Sequence, residues 1–356
     1  MIISRYLTKE VLSAFFATTL LLLLVFISTQ LLSYMKSAAY GKISLHAVLL
    51  LLSLQIPVLL TFLIPLSLFL GILLAFGRLY TDSEMTVLFA CGVSIKALLL
   101  VVFRIAVFVS IGAALLSLYV APKMEEYSAH VVEASKEDAL GLLTYGKFNS
   151  VLNDKWFFYV EGAAADHKSL KNVFAAEKAG GVIFSKGGYQ HIDAEGNKFL
   201  VLTNGYRYSG FPGRRDYKII KFGEYGIKFS QEKKTLNFEE NMLPTKTLWQ
   251  NRDKPEFAAE LHWRIALVIA VLVLTLLAVP LSKVTPRYGR YFSLVPAGFC
   301  YILYANLMVL GRIWITKGTF LLAFGMWWVH VVMLSLGILL IWHQNSKFKI
   351  QKSKLF

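Results

Sequence analysis

Acidic side chains are nearly absent from the long apolar runs of this sequence. That scarcity argues against an intramembrane proton relay of the kind that powers many secondary carriers. Cysteine is scarcer still, with only Cys91 and Cys300 in the chain. One falls at the end of a polar loop and the other inside an apolar run, so the two are not expected to meet as a disulfide. No Gly-x-Ser-x-Gly elbow is present, and the seven histidines are scattered without metal-ligand spacing. Gly141, Gly146 and Lys147 copy part of a phosphate-binding loop, but Phe148 stands where a Ser or Thr hydroxyl must reach magnesium, and the match is accidental. No catalytic group, metal or cofactor is therefore expected, and the energy for any transport must come from outside the chain.

What the sequence does hold is six apolar stretches, three on each side of one polar, strand-rich block. Each is close to the roughly 20 residues that a helix needs to cross the hydrocarbon core. They run from Val11 to Leu32, Val48 to Phe76, Ala97 to Ala121, Ile265 to Leu281, Tyr291 to Gly311 and Phe320 to Trp342. The second contains Pro57 and Pro65, which predict either a kinked span or a re-entrant bend. The first begins after Arg5 and Lys9, is longer than a signal-peptide core and has no small-residue cleavage site, so it is expected to remain in the mature chain. The expected architecture is α-helical transmembrane, six spans in a three-plus-three layout, with an inserted all-β, jelly-roll-like domain on one side of the bilayer. Its parts are residues 1–121, 122–260 and 261–356.

Lys and Arg in short loops set the orientation. One set of loops carries Arg5, Lys9, Arg78, Lys96, Lys283, Arg287, Arg290 and the lysines of the C-terminal tail, whereas the other carries only Lys36, Lys42, Arg312 and Lys317. Both termini are thus expected in the cytoplasm, with the block from Pro122 to Glu260 outside. The net charge of +15 is spread along the whole chain without a basic-aromatic stripe, which fits topology and anionic headgroups and gives no reason to invoke nucleic acid.

Within the polar block, β-rich runs recur at Trp156 to Val160, Val173 to Ala175, Val182 to Ser185, Lys198 to Leu202, Tyr217 to Phe222 and Gly226 to Phe229. Lys186 to Gly188, Ala194 to Asn197, and Asn204 with Gly205 read as the turns between them. Short strands with little helix predict a sandwich or jelly roll. Aromatics are dense here, and two readings stay open: an ordinary β core, or an apolar trough for acyl chains with Phe158, Phe184 and Tyr206 as candidate lining. A polar helix over Met124 to Leu143 is expected to lead into this domain, its acidic residues forming a solvated face.

The loop from Gly77 to Gly92 carries a further signal. Asp82 or Ser83 is placed to cap a short helix, Glu84 suits its positive end, and Met85, Leu88 and Phe89 fall on one face. Such a helix either rests on lipid headgroups or plugs into a soluble ATPase with Glu84 exposed to a partner cation.

Three segments then carry a likeness. Arg5 to Glu10, the run Leu63 to Gly77, and Leu79 to Gly92 with its Tyr-Thr-Asp-Ser-Glu-Met resemble the lipopolysaccharide export permeases. So do Glu260 to Arg264, Val279 to Gly289 and Pro296. The likeness runs in order along nearly the full chain; its start is closer to the LptF branch than to LptG, and the β domain is its least similar part. It implies half of an ABC exporter: a heterodimer with an LptG-type permease, an LptB-type ATPase dimer beneath, LptC-type and LptA-type periplasmic jelly-roll proteins beyond, and lipopolysaccharide as cargo. Glu84 would be the coupling acid, with Arg78, Tyr80, Asp82, Met85, Leu88 and Phe89 around it. Phosphates of the cargo call for outer cations, and Lys36, Lys42, Arg312 and Lys317 are the candidates; their alternative role is snorkelling to headgroups. Gln30 and Ser33 stand where the family often has cations, and Lys36 is the expected substitute. Two other roles stay open, the LptG-type one and that of a scaffold gripping a periplasmic partner.

Overall fold

The computed structural model describes residues 2–39, 43–137, 146–151, 156–163, 169–178, 180–193, 198–210, 218–228, 240–283, 293–318 and 325–353. The helices are α1 (Ile2–Ala39), α2 (Leu45–Thr81), α3 (Glu84–Ala90), α4 (Ile95–Leu115), α5 (Ala121–Glu137), α6 (Thr245–Gln250), α7 (Pro255–Leu281), α8 (Leu294–Thr316) and α9 (Trp327–Ser353). A π-helical turn, Leu116–Val120, joins α4 to α5. Among the described residues, five helices are long and apolar enough to span a bilayer: α1, α2, α4 running on into α5, α7 and α8. For the sixth expected span the described apolar helix is the shorter Trp327–His343 within α9, and Phe320 lies outside the described residues.

Helix α2 settles the choice between a kinked span and a re-entrant bend. It is continuous over 37 residues with Pro57 and Pro65 both inside it. At 1.5 Å per residue it is about 55 Å long, more than a bilayer core needs. Two compact units are present: one comprises residues 1–28, 54–127 and 238–356, the other residues 29–53 and 128–237.

In the first unit α7 is the central element, packing against α4, α8 and α9. Its sequence is apolar around nearly the full circumference, the mark of a helix with no solvated face. Helices α1 and α2 meet through small groups. A Cβ on Gly71 would lie 2.8 Å from the Phe15 amide nitrogen, so only glycine lets these backbones approach. One helical turn away on α2, Thr18 Oγ1 donates to the Ser67 carbonyl at 3.0 Å. Gly71→Val should therefore force the two helices apart at a cost of about 1–3 kcal/mol. A lower Tm in detergent is the expected reading, and an unchanged Tm would remove the close approach from the account.

The second unit contains a six-stranded antiparallel sheet in plain sequence order. Its strands are β1 (Phe148–Val151), β2 (Trp156–Ala163), β3 (Ser169–Glu177), β4 (Gly181–Ile192), β5 (Lys198–Ser209) and β6 (Lys218–Lys228). Two expected turns are not turns: Lys186 to Gly188 lies within β4, and Asn204 with Gly205 within β5. The expected break between Phe222 and Gly226 is likewise absent, because β6 runs through it. Ala194 to Asn197 lies outside the described residues.

The misread positions belong to one crease. Glu161, Asn172, Lys186, Asn204 and Gly223 form a row in which neighbouring strands lose direct pairing while the register is kept on both sides. Asn172 and Asn204 adopt left-handed φ values of 47° and 52°, a conformation asparagine tolerates better than most residues. The crease shifts the inward alternation by one: β3 buries Leu170 before it and Val173 and Ala175 after it. One face stays apolar across the bend. Gly205, next to the crease, has no room for a side chain, since a Cβ there would lie 2.3 Å from the Phe184 carbonyl oxygen.

Candidate functional site

The corner between α2 and α4 is built around α3. Met85 is fully buried, Leu88 and Phe89 are half-buried against the same apolar core, and Val87 points outward at 61 % exposure. The helix ends in paired closing bonds, from Gly92 N to Phe89 O at 3.1 Å and from Val93 N to Leu88 O at 3.0 Å. This stop needs the left-handed φ of 89° that Gly92 supplies. The expected side-chain cap at the other end is absent: Ser83 takes a left-handed φ of 61° and its hydroxyl caps nothing. Chain reversal, not capping, governs that position.

Glu84 is held from a distance in sequence. Tyr6 Oη of α1 donates to Glu84 Oε2 at 2.7 Å, leaving Oε1 without a hydrogen bond among the described residues. Beside it Arg78 reaches Glu10 at 3.1 Å and Asp82 at 3.8 Å. These partly exposed ion pairs contribute at most about 1 kcal/mol each, but they fix the Arg78 guanidinium against α1. Tyr80 is half-buried on the same turn. The structure thus brings Arg78, Tyr80, Asp82, Glu84, Met85, Leu88 and Phe89 to one corner, and it adds Tyr6 and Glu10, which the sequence reading missed. Their spacing of four along one helix was the available signal.

The cations expected at the opposite ends of the helices differ in their surroundings. Gln30 is half-buried and Ser33 and Lys36 are exposed on the last turns of α1, and Lys317 is exposed just after α8. Lys42 lies outside the described residues. Arg312 does not stand free. Its Nη2 donates to Glu260 Oε2 at 2.8 Å, and its guanidinium lies 5.1 Å from the centre of the Trp263 ring. Glu260 in turn receives Arg264 Nε at 2.9 Å, and Arg264 also donates to the carbonyls of Asn241 at 2.8 Å and Leu243 at 3.0 Å and to Thr245 Oγ1 at 2.9 Å. Thr245 Oγ1 in turn donates to the Leu118 carbonyl, in the π turn, at 2.5 Å. A connected polar cluster therefore joins the π turn, the start of α6, α7 and α8.

On the sheet, Phe184 and Tyr206 pair directly in a cross-strand row of five rings: Phe148, Tyr159, Phe174, Phe184 and Tyr206. Phe174 and Phe184 meet edge to face with centroids 5.0 Å apart. Phe148, Phe184 and Tyr206 remain 65 %, 51 % and 43 % exposed. Phe158 is on the other face, fully buried and stacked on Trp156 at 5.9 Å. It belongs to the sheet's core and not to the exposed aromatic face, which corrects its grouping with Phe184 and Tyr206.

Cys91 and Cys300 are both free. His330 pairs with the Tyr304 hydroxyl at 2.6 Å between α8 and α9 as a satisfied core group. Among the described residues no three His, Cys, Asp or Glu side chains converge as metal ligands. The site offers ion pairs, a short helix anchored by buried Met85, and apolar surface.

A family model described as lipopolysaccharide export system permease LptF/LptG matches residues 5–343. Lipopolysaccharide export system permease protein LptF of Escherichia coli strain K12 is 33% identical over 348 residues, covering 96% of this chain and 94% of that protein. The protein of the same name from Shigella flexneri is similar to the same extent. The match spans the α3 corner, the Glu260–Arg264 cluster and the sheet together, and the chain belongs to the lipopolysaccharide export permease family LptF/LptG.

Proposed function

We propose that the chain is the LptF-type permease subunit of an inner-membrane ABC exporter of lipopolysaccharide. Its termini face the cytoplasm and its sheet the periplasm. An LptG-type permease completes the membrane cavity, an LptB-type ATPase dimer hydrolyses ATP below it, and LptC-type and LptA-type proteins receive the cargo above. The observation that carries this reading, given the family, is α3: a short helix anchored in the span core by Met85 with an outer face left bare. A rigid insert of this kind transmits displacement from a soluble domain to the helices behind it, as in other rigid-body switches. Glu84, steadied by Tyr6 and Arg78's neighbourhood, offers its second oxygen to a cation of the ATPase.

The cargo path follows from its chemistry. Lys36 and Lys317 suit the phosphates, and the ladder containing Phe184 and Tyr206 suits acyl chains. Arg312, already paired with Glu260, positions the outer end of α8. Proteoliposomes holding the chain with its permease and ATPase partners test the whole reading: lipopolysaccharide should leave them for a soluble periplasmic acceptor only with ATP, and release without ATP or without the ATPase would exclude it. In the same assay Lys36→Ala with Lys317→Ala should weaken lipopolysaccharide binding by roughly tenfold at low salt and less at high salt. Binding that is unchanged at every salt concentration would assign both lysines to snorkelling.

A further inference from the structure

One cation lies inside a span and was hidden by the apolar residues around it. Arg104 is the tenth residue of α4, about 14 Å along a helix that begins at Ile95. An ionised side chain at such depth demands an anionic or strongly polar partner. Among the described residues, Arg104, Arg5 and Lys9 form no ion pair. Those three cations line the same cleft, of about 1120 Å³, between the first turns of α1 and the middle of α4. Arg5 and Lys9 are four apart on α1 and share a face. Leu12 and Phe16 continue that wall, and Phe108 continues the wall of Arg104. The apolar part opens outward, with Phe16 at 64 % and Phe108 at 82 % exposure.

We infer that this cleft is a binding site for an anionic phospholipid in the leaflet on the N-terminal side of the chain. Cations gathered at one end, with aromatic walls open to hydrocarbon at the other, match a phosphate headgroup followed by acyl chains. The guanidinium of Arg104 engages phosphate oxygens in a two-pronged fashion that a lysine cannot reproduce. Lys9 and Arg5 supply the remaining charge nearer the headgroup plane. A lipid so held would sit against α1 at the turns that carry Tyr6 and Glu10, and so beside the groups that steady the α3 corner. The site is separate from the lipopolysaccharide path and does not depend on it.

Photolabelling tests this directly. The chain, purified with its partner subunits, is placed in phosphatidylcholine nanodiscs doped at equal density with either photoactivatable phosphatidylglycerol or photoactivatable phosphatidylcholine, and adducts are mapped by mass spectrometry. Phosphatidylglycerol adducts should concentrate on Leu12, Phe16 and Phe108 and fall roughly tenfold in Arg104→Gln, with partial retention in Arg104→Lys and no change in phosphatidylcholine adducts. Equal labelling by the two lipids would make the cleft ordinary annular surface and overturn the proposal. Crosslinking of an Arg104→Cys chain to another protein subunit in place of lipid would overturn it equally. Because the readout is lipid adducts, a failure here is distinguishable from a failure of the export reading.

Discussion

Arg264→Met should destabilise the membrane unit by about 3–5 kcal/mol, the cost of removing one partner from a buried ion pair. Arg264 is 3 % exposed and Glu260 5 %. Beyond Glu260, the guanidinium satisfies the carbonyls of Asn241 and Leu243 and, at 3.3 Å, that of Glu240. Methionine fills much of the same volume but donates nothing, so the carbonyls lose this donor in a dry environment and Glu260 is left with Arg312 alone. The loss should appear as a large drop in Tm and in yield of the purified protein. Glu260→Met combined with Arg264→Met should recover part of it, since no charge then stays buried and Arg312, which loses its partner, has a side chain 38 % exposed. An Arg264→Met chain with the parent's Tm would contradict the burial argument.

The second large effect is functional. Glu84→Lys should reduce export by at least roughly thirtyfold, because a reversed charge meets a like charge across an interface, while the chain stays inserted and folded. Tyr6→Phe is the matched control. It deletes the 2.7 Å bond to Glu84 Oε2 but leaves the carboxylate in place, and export should fall by severalfold at most. Export at the parent level in Glu84→Lys would remove the coupling role of this residue. Loss of export in Tyr6→Phe as complete as in Glu84→Lys would shift the role from charge to local geometry.

The helical part of the fold was legible because bilayer thickness imposes a length that composition alone reveals. The continuity of α2 through Pro57 and Pro65 was not, since either outcome satisfies the local rules and packing decides. In the sheet, alternation reports which face a residue occupies only while the pleat is regular. The crease at Asn172 and Asn204 resets it, which is why Gly187, Gly188 and Gly205 read as turn residues. The same parity problem hid Phe158: it is adjacent to Phe157, and adjacent residues on a strand face opposite ways, so one aromatic is core and its neighbour is surface. The α3 corner was half legible. Its own turn was visible, but Tyr6 and Glu84 are separated by 78 positions, and no local pattern announces such a pair. Arg104 escaped notice for the opposite reason, a single charge averaged away among apolar neighbours.

The proposed function requires that an ATPase-driven permease pair, of which this chain is one half, carries lipopolysaccharide. Mass spectrometry of the proteins and lipids that stay with the tagged chain after purification in mild detergent from its native membrane tests that claim most directly. A paralogous permease, a soluble ABC ATPase and bound lipopolysaccharide in the same particle are the expected result; periplasmic proteins with neither ATPase nor glycolipid would contradict the exporter and leave a scaffold in its place.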